Sequence, residues 1–190
     1  MKPVLAILFL LLIPKLNGAQ QIYTDDQVVF SFFSEAPIEN ISAHSEKGVS
    51  AIDMKSRSLY FKVSIRSFQF RKKLMQEHFN ENYMESSKYP FAEFKGNIVD
   101  AVDLSKAGSY PVTVSGILNI HNVPKNYTVK GQLVVEQGKI TAHAKFQVRL
   151  ADHQIKIPRL VIRNIAEIVE VQVSAVYHPT AIQQPAVNKQ

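Results

Sequence analysis

Apolar and polar residues alternate along most of this chain. Val28, Phe30 and Phe32 alternate with Gln27, Val29 and Ser31, and Leu59, Phe61, Val63 and Ile65 with Tyr60, Lys62, Ser64 and Arg66. Val112, Val114, Gly116, Leu118 and Ile120 share one face of a third segment, and Tyr127, Val129, Gly131, Leu133 and Val135 of a fourth. Ile140, Ala142, Ala144, Phe146, Val148 and Leu150 form a fifth, and Val169, Val171, Val173, Ala175 and Tyr177 a sixth. Successive side chains of a strand point to opposite faces, so each segment reads as a strand with one apolar and one more polar face. Gln137-Gly138 lies between the fourth and fifth segments, as a tight hairpin requires. Lys47-Gly48 and Lys55-Ser56 are expected to break the earlier segments. Lys106-Ala107-Gly108-Ser109 separates a strand ending near Asp100 from one starting at Tyr110, and Asn122-Val123-Pro124-Lys125 is expected to turn the third segment into the fourth. Turn signals this close together, with few helical patterns, predict an all-β antiparallel sandwich or barrel.

One stretch departs from the alternation. Between Arg71 and Ser87 the apolar residues Leu74, Met75, His78 and Phe79 fall at i, i+1, i+4 and i+5, which fits a short helix between strands. Lys88-Tyr89-Pro90 ends it, because the residue before proline avoids the helical region. Ala151 to Asn164 is irregular and contains Pro158. Residues 179–190 contain Pro179 and Pro185 and read as a flexible C-terminal tail. A long antiparallel sheet must protect its edges, and closure into a barrel removes them. About eight strands enclose a space that side chains fill or that holds one small ligand. From the residues alone both outcomes stay open.

The first residues change the compartment. Met1-Lys2 supplies positive charge, Val4 to Ile13 is an apolar run, and Pro14 and Asn17-Gly18-Ala19 follow. This reads as a secretory signal peptide over residues 1–19, leaving a domain at 20–178 that is periplasmic or secreted. The run is too short to span a bilayer, which needs about 20 apolar residues. The chain has no cysteine, which removes thiol nucleophiles, thiolate metal sites and disulfides. The net charge of +6 is scattered, apart from Arg71-Lys72-Lys73. Nucleic-acid binders concentrate such charge on one face, so no nucleic-acid partner is expected.

Candidate chemistry is sparse. The histidines are His44, His78, His121, His143, His153 and His178, and no two stand at a metal-ligand spacing. Glu77-His78 beside Glu81 reads as the solvated face of a short helix, and a meeting of His121 and His143 across the sheet stays open. No metal is assigned. Val114-Ser115-Gly116 lacks the glycine and the strand-to-helix setting of a nucleophile elbow, so no catalytic residue is assigned and an enzyme is not expected. Asn40-Ile41-Ser42 and Asn126-Tyr127-Thr128 fit the glycosylation pattern but read as chance. Arg71-Lys72-Lys73 with Lys88 reads either as a solvated helix start or as an attractor for a phosphate headgroup.

Several segments carry a resemblance to a known family. Leu74-Met75-Gln76-Glu77-His78-Phe79-Asn80-Glu81-Asn82-Tyr83-Met84-Glu85-Ser86, then Lys88-Tyr89-Pro90 and Phe94-Lys95-Gly96, resemble the YceI-like family. So do Phe30-Ser31-Phe32-Phe33 with Ala36-Pro37-Ile38-Glu39-Asn40-Ile41, then Val114 to Leu118 with Val123-Pro124-Lys125, and Phe146 to Pro158. Lys72 stands where many members have Asp, and His153 where Tyr is usual. The resemblance covers nearly the whole domain. It implies a lipocalin-like barrel of about eight strands with an apolar tunnel for isoprenoid or quinone-like lipids, and no other cofactor. The candidate wall residues are Phe30, Phe32, Phe61, Phe68, Phe70, Leu74, Met75, Phe79, Phe91, Phe94, Leu118, Phe146, Val148, Val171 and Val173. The implied partner is a small apolar lipid, with transient membrane contact and a homodimer both compatible with that reading. The rival expectation is a filled barrel that binds a protein by strand addition.

Overall fold

The computed structural model describes residues 22–35, 39–157 and 166–180. The signal-peptide reading at 1–19, residues 36–38 of the quoted first hairpin, Pro158 and all but the first two residues of the 179–190 tail lie outside the described residues. The strands are β1 (Ile22–Ser34), β2 (Ile41–Asp53), β3 (Ser58–Ser64), β4 (Gln69–Phe70), β5 (Phe91–Ile98), β6 (Gly108–Ile120), β7 (Val123–Glu136), β8 (Lys139–Arg149) and β9 (Ile168–Pro179). Helix α1 (Lys73–His78) runs into a π-helical turn, Phe79–Tyr83. The sheet order is β1-β9-β8-β7-β6-β5-β3-β2-β4, and β1 also pairs with β2. That last pairing closes a barrel of eight long antiparallel strands, with β4 a two-residue stub on β2. The expected fold class is therefore the observed one. Among the described residues no helix is long and apolar enough to cross a membrane.

Two turn readings need correction. Lys47-Gly48 does not break a segment, because β2 runs through it to Asp53. The register slips there instead, from Val28 opposite Gly48 to Phe30 opposite Ser45. The Phe30 ring occupies the space a Cβ at residue 48 would need, so the glycine accommodates the ring while the bulge bends the strand. The β6–β7 turn is His121-Asn122, not residues 122–125. Both have left-handed φ (55° and 58°), which suits the twist of a two-residue hairpin. Val123 to Lys125 already belong to β7, with Pro124 near its first residue, where a missing N–H is tolerated. The hairpin at Gln137-Gly138 joins β7 to β8, with Gly138 at φ 72°.

The two ends of the barrel differ. The β2–β3, β5–β6 and β7–β8 connections lie at one end, which is packed with Ile52, Ile98, Leu104, Val135, Ile140 and Tyr177, all buried. At the other end lie the β1–β2 connection, α1 and its π turn, the β6–β7 turn and the 3-10 turn Leu150–His153. Between Ile41 and Ile52 the inward positions of β2 are small or polar: Ala43, Ser45, Gly48 and Ser50. Their hydroxyls are paired, Ser45 Oγ with Ser67 Oγ at 2.6 Å, and Ser50 Oγ donating to the Tyr60 carbonyl at 2.6 Å. Burial of these serines is thereby relieved of its desolvation cost.

Candidate functional site

Inward-facing side chains leave a cavity of about 380 Å³ inside the barrel, running from the helix end toward Ile52, Leu59 and Tyr177. An apolar void of roughly 150 Å³ already takes up benzene, and ligand sites span about 300–1,000 Å³. The barrel is thus packed at one end and hollow at the other. Of the wall residues read from sequence, Phe30, Phe32, Phe61, Phe68, Phe70, Met75, Phe79, Phe94, Leu118, Phe146, Val148, Val171 and Val173 line this cavity.

Leu74 and Phe91 do not. Leu74 is 61 % exposed, because on α1 it is Met75 and His78 that turn inward. Phe91 is 44 % exposed and opens β5 on the outer face, where the Lys62 ammonium lies 3.9 Å from its ring centre. Other lining residues, Ile41, Tyr83, Met84 and Ile155, were not named from sequence. The last three sit in irregular segments, where no periodicity marks a face. Tyr127 and Leu150 also line the cavity, and their places in the alternation were the available signal.

An aromatic cluster forms one side of the mouth. Phe79 stacks on Phe32 at 5.6 Å between ring centres and meets Phe70 at 4.9 Å and Phe68 at 5.8 Å. Offset and edge contacts of this kind add to the gain from burial. Helix α1 and its π turn place Phe79, while β1 and β4 with its approach place the others. Beside the cluster, Lys72 Nζ lies 2.6 Å from Oε1 and 2.7 Å from Oε2 of Glu39, a cavity-lining residue of the β1–β2 connection.

Two tyrosine hydroxyls at the cavity wall are engaged by neighbouring side chains. The Tyr177 hydroxyl donates to Ser50 Oγ at 2.7 Å, and burial pushes its pKa up. Tyr127 is likewise raised by burial, and its hydroxyl lies 3.3 Å from His153 Nε2. His121 contacts Glu85 at 3.0 Å, whereas His143 contacts Ser174 at 3.0 Å, so each histidine is held by a different partner. Among the described residues no three His, Asp or Glu side chains come together to hold a metal ion. The basic run divides by role: Lys72 is paired with Glu39, while Arg71 and Lys73 stay exposed. Lys88 sits apart from them, over the Tyr89 ring at 4.8 Å.

Comparison with known proteins gives one family and a consistent set of structures. The model of the YceI-like domain matches residues 27–177. A polyisoprenoid binding domain from Saccharophagus degradans, implicated in plant cell wall breakdown, superposes with a TM-score of 0.71 at 15% identity, covering 85% of this chain and 99% of that one. Burkholderia cenocepacia BcnA gives 0.67 at 16% identity, covering 78% and 95%. The Campylobacter jejuni YceI protein gives 0.61 at 15%, covering 77% and 89%. At these identities the likeness is one of fold. A comparison with curated proteins finds no match.

Proposed function

The chain belongs to the YceI-like domain family, and we propose that it is an exported carrier that sequesters an isoprenoid or quinone-like lipid inside its barrel without chemically altering it. The observation that carries this reading is the apolar cavity of about 380 Å³ reached from the helix end. Such a wall offers a hydrocarbon tail no directional partner and needs none. Burying about 400 Å² of apolar surface gains roughly 10 kcal/mol, and the ordering of tail and side chains offsets part of that gain. The proposed contacts are the cavity-lining members of the wall named from sequence, with Phe79 and Met75 adapting at the mouth. Catalysis has no place in the proposal, since the buried hydroxyls of Tyr127 and Tyr177 are already engaged by His153 and Ser50.

Export is the second part of the proposal. It rests on residues 1–19 as a removable leader, with 20–178 working in the periplasm or outside the cell. The absence of cysteine fits a domain stabilised by packing alone. A filled barrel that serves only as an interaction module is less well supported, because the helix end is hollow.

Native mass spectrometry of freshly purified protein tests the reading, with solvent extraction of the same sample. A co-purified apolar lipid is expected, and a prenyl alcohol added to stripped protein should raise its melting temperature. An empty cavity in the purified protein, together with no thermal shift from any prenyl compound, would sink the proposal.

A further inference from the structure

The rim of the helix end carries residues that the cavity does not use. Leu74 is 61 % exposed, although Met75 beside it lines the cavity. Neighbouring positions of a helix point in different directions, so α1 turns Met75 inward and Leu74 out. Arg71 and Lys73 are exposed, and neither has a hydrogen-bond or ion-pair partner among the described residues. Lys72 between them is held by Glu39. Phe33 is 40 % exposed on the outer face of β1 and lines, together with Arg71, a groove beside β4. A singly exposed leucine is ordinary. Here, exposed apolar side chains and cations without a partner among the described residues lie together at the helix end of the barrel.

We infer that this rim docks the protein on an anionic phospholipid surface, with Leu74 and Phe33 entering the headgroup layer and Arg71 and Lys73 meeting lipid phosphates. The charge pattern selects this occupant. Unpaired cations beside shallow apolar side chains match an anionic bilayer, which accepts both at once. Two separated apolar side chains supply far less contact than the roughly 800 Å² per partner of a stable protein interface. Glu77 and Glu81 are exposed further along the same segment and weaken the attraction, which keeps docking reversible. In the docked pose the mouth faces the membrane. Docking does not depend on cargo; its part in lipid delivery rests on the carrier reading above.

Vesicle co-sedimentation of the full domain tests the inference. The vesicles are phosphatidylcholine alone or with about a third phosphatidylglycerol, the range in which surface charge governs binding. The protein should sediment with the anionic vesicles and not with the neutral ones. Raising salt to about 1 M, where charges are screened within about 3 Å, should release it. R71S and K73S should each weaken binding by about five-fold, the effect of one positive charge at such a surface. Leu74→Ser should also weaken it, and Lys55→Ser, at the opposite end in the β2–β3 turn, should not. Melting curves establish that each variant is folded. No sedimentation with anionic vesicles, equal binding to neutral ones, or equal affinity of all variants overturns docking at this rim. Prenyl-lipid binding measured without vesicles separates the two ideas: a protein that holds lipid yet ignores vesicles refutes docking alone.

Discussion

The imidazole of His153 lies against the ring of Tyr127, with centres 5.9 Å apart, planes inclined by 22°, and Nε2 3.3 Å from the phenol hydroxyl. Its Nδ1 donates to the Val123 carbonyl at 2.9 Å, which leaves Nε2 as the acceptor for tyrosine. The ring is fully buried. Burial holds its pKa below the ordinary imidazole value, and Lys125 pushes the same way. The Val123 and Ile120 carbonyls and the Asp152 charge oppose this without overcoming it. The unfolded chain therefore takes up the proton first as pH falls. Stability should be complete above about pH 6.5 and decline below it, levelling off once the folded state is protonated as well. Urea titrations from pH 8 to pH 5, a range set by histidine titration, should show this slope in the native protein. The slope should be smaller in His153→Gln. Equal slopes in both would show that His153 is not the group responsible.

Ala142 and Ala144 hold inward positions of β8 beside the cavity, and Ala144 is flanked by Gly131 on β7 and Val173 on β9. If the space is as open as the geometry shows, Ala144→Leu fills it with little strain. Cavity filling of this kind typically stabilises by about 1 kcal/mol, and it should cut prenyl-lipid affinity at least about ten-fold, or roughly 1.4 kcal/mol. An already filled core would respond with the opposite sign, losing about 1–3 kcal/mol to overpacking. Urea unfolding of stripped protein, paired with ligand titration, reads both quantities on one variant.

Gly96 and Gly116 stand opposite each other in the β5–β6 ladder. A Cβ on Gly116 would overlap the Lys95 carbonyl oxygen and come within 2.5 Å of the Gly96 Cα. The obstruction is backbone, which cannot rotate away as a side chain can. Glycine at such a close approach lets a sheet coil sharply enough to close. Gly116→Ala should therefore destabilise the barrel by about 2 kcal/mol or more, in the range of other overpacking changes. A change within about 0.5 kcal/mol by urea unfolding would mean that the strands part there without cost.

Where one face of a strand is steadily apolar, the sequence announces the barrel, and six such runs were readable. β2 was not, because between Ile41 and Ile52 its inward positions are Ala43, Ser45, Gly48 and Ser50, which carry no hydrophobic period. Their burial depends on partners distant in sequence, such as Tyr177 for Ser50. Gly48 looked like a break for a related reason: the ring that fills its missing side chain belongs to another strand. Phe30, Phe32, Phe61 and Phe146 were legible because they continue the alternation, whereas Phe68, Phe70 and Phe79 lie outside it. Leu74 and Phe91 were misplaced because apolar character alone does not say which side of a short helix or strand end faces in. Met84 and Ile155 were hidden, since irregular backbone gives no period from which to read direction.

The pairing of Lys72 with Glu39 ties the start of α1 to the β1–β2 connection beside the cavity. Lys72 immediately precedes α1, Glu39 lies in the β1–β2 connection, and the ammonium contacts both carboxylate oxygens. Both side chains are exposed, so the pair contributes no more than about 1 kcal/mol. That is too little to change global stability visibly. It is enough to change the rate at which the mouth opens, because about 1.4 kcal/mol off a barrier is a factor of ten. Lys72→Met keeps the aliphatic stem and removes the charge. It should release a bound fluorescent prenyl lipid up to about five-fold faster, matching a loss of about 1 kcal/mol, at an unchanged melting temperature. Glu39→Gln should do the same, and the double variant should be no faster than either single one, as coupled residues require. Stopped-flow transfer to acceptor vesicles measures all three rates. If both single variants release lipid at the native rate, the ion pair does not gate the cavity, and guests enter and leave by another path.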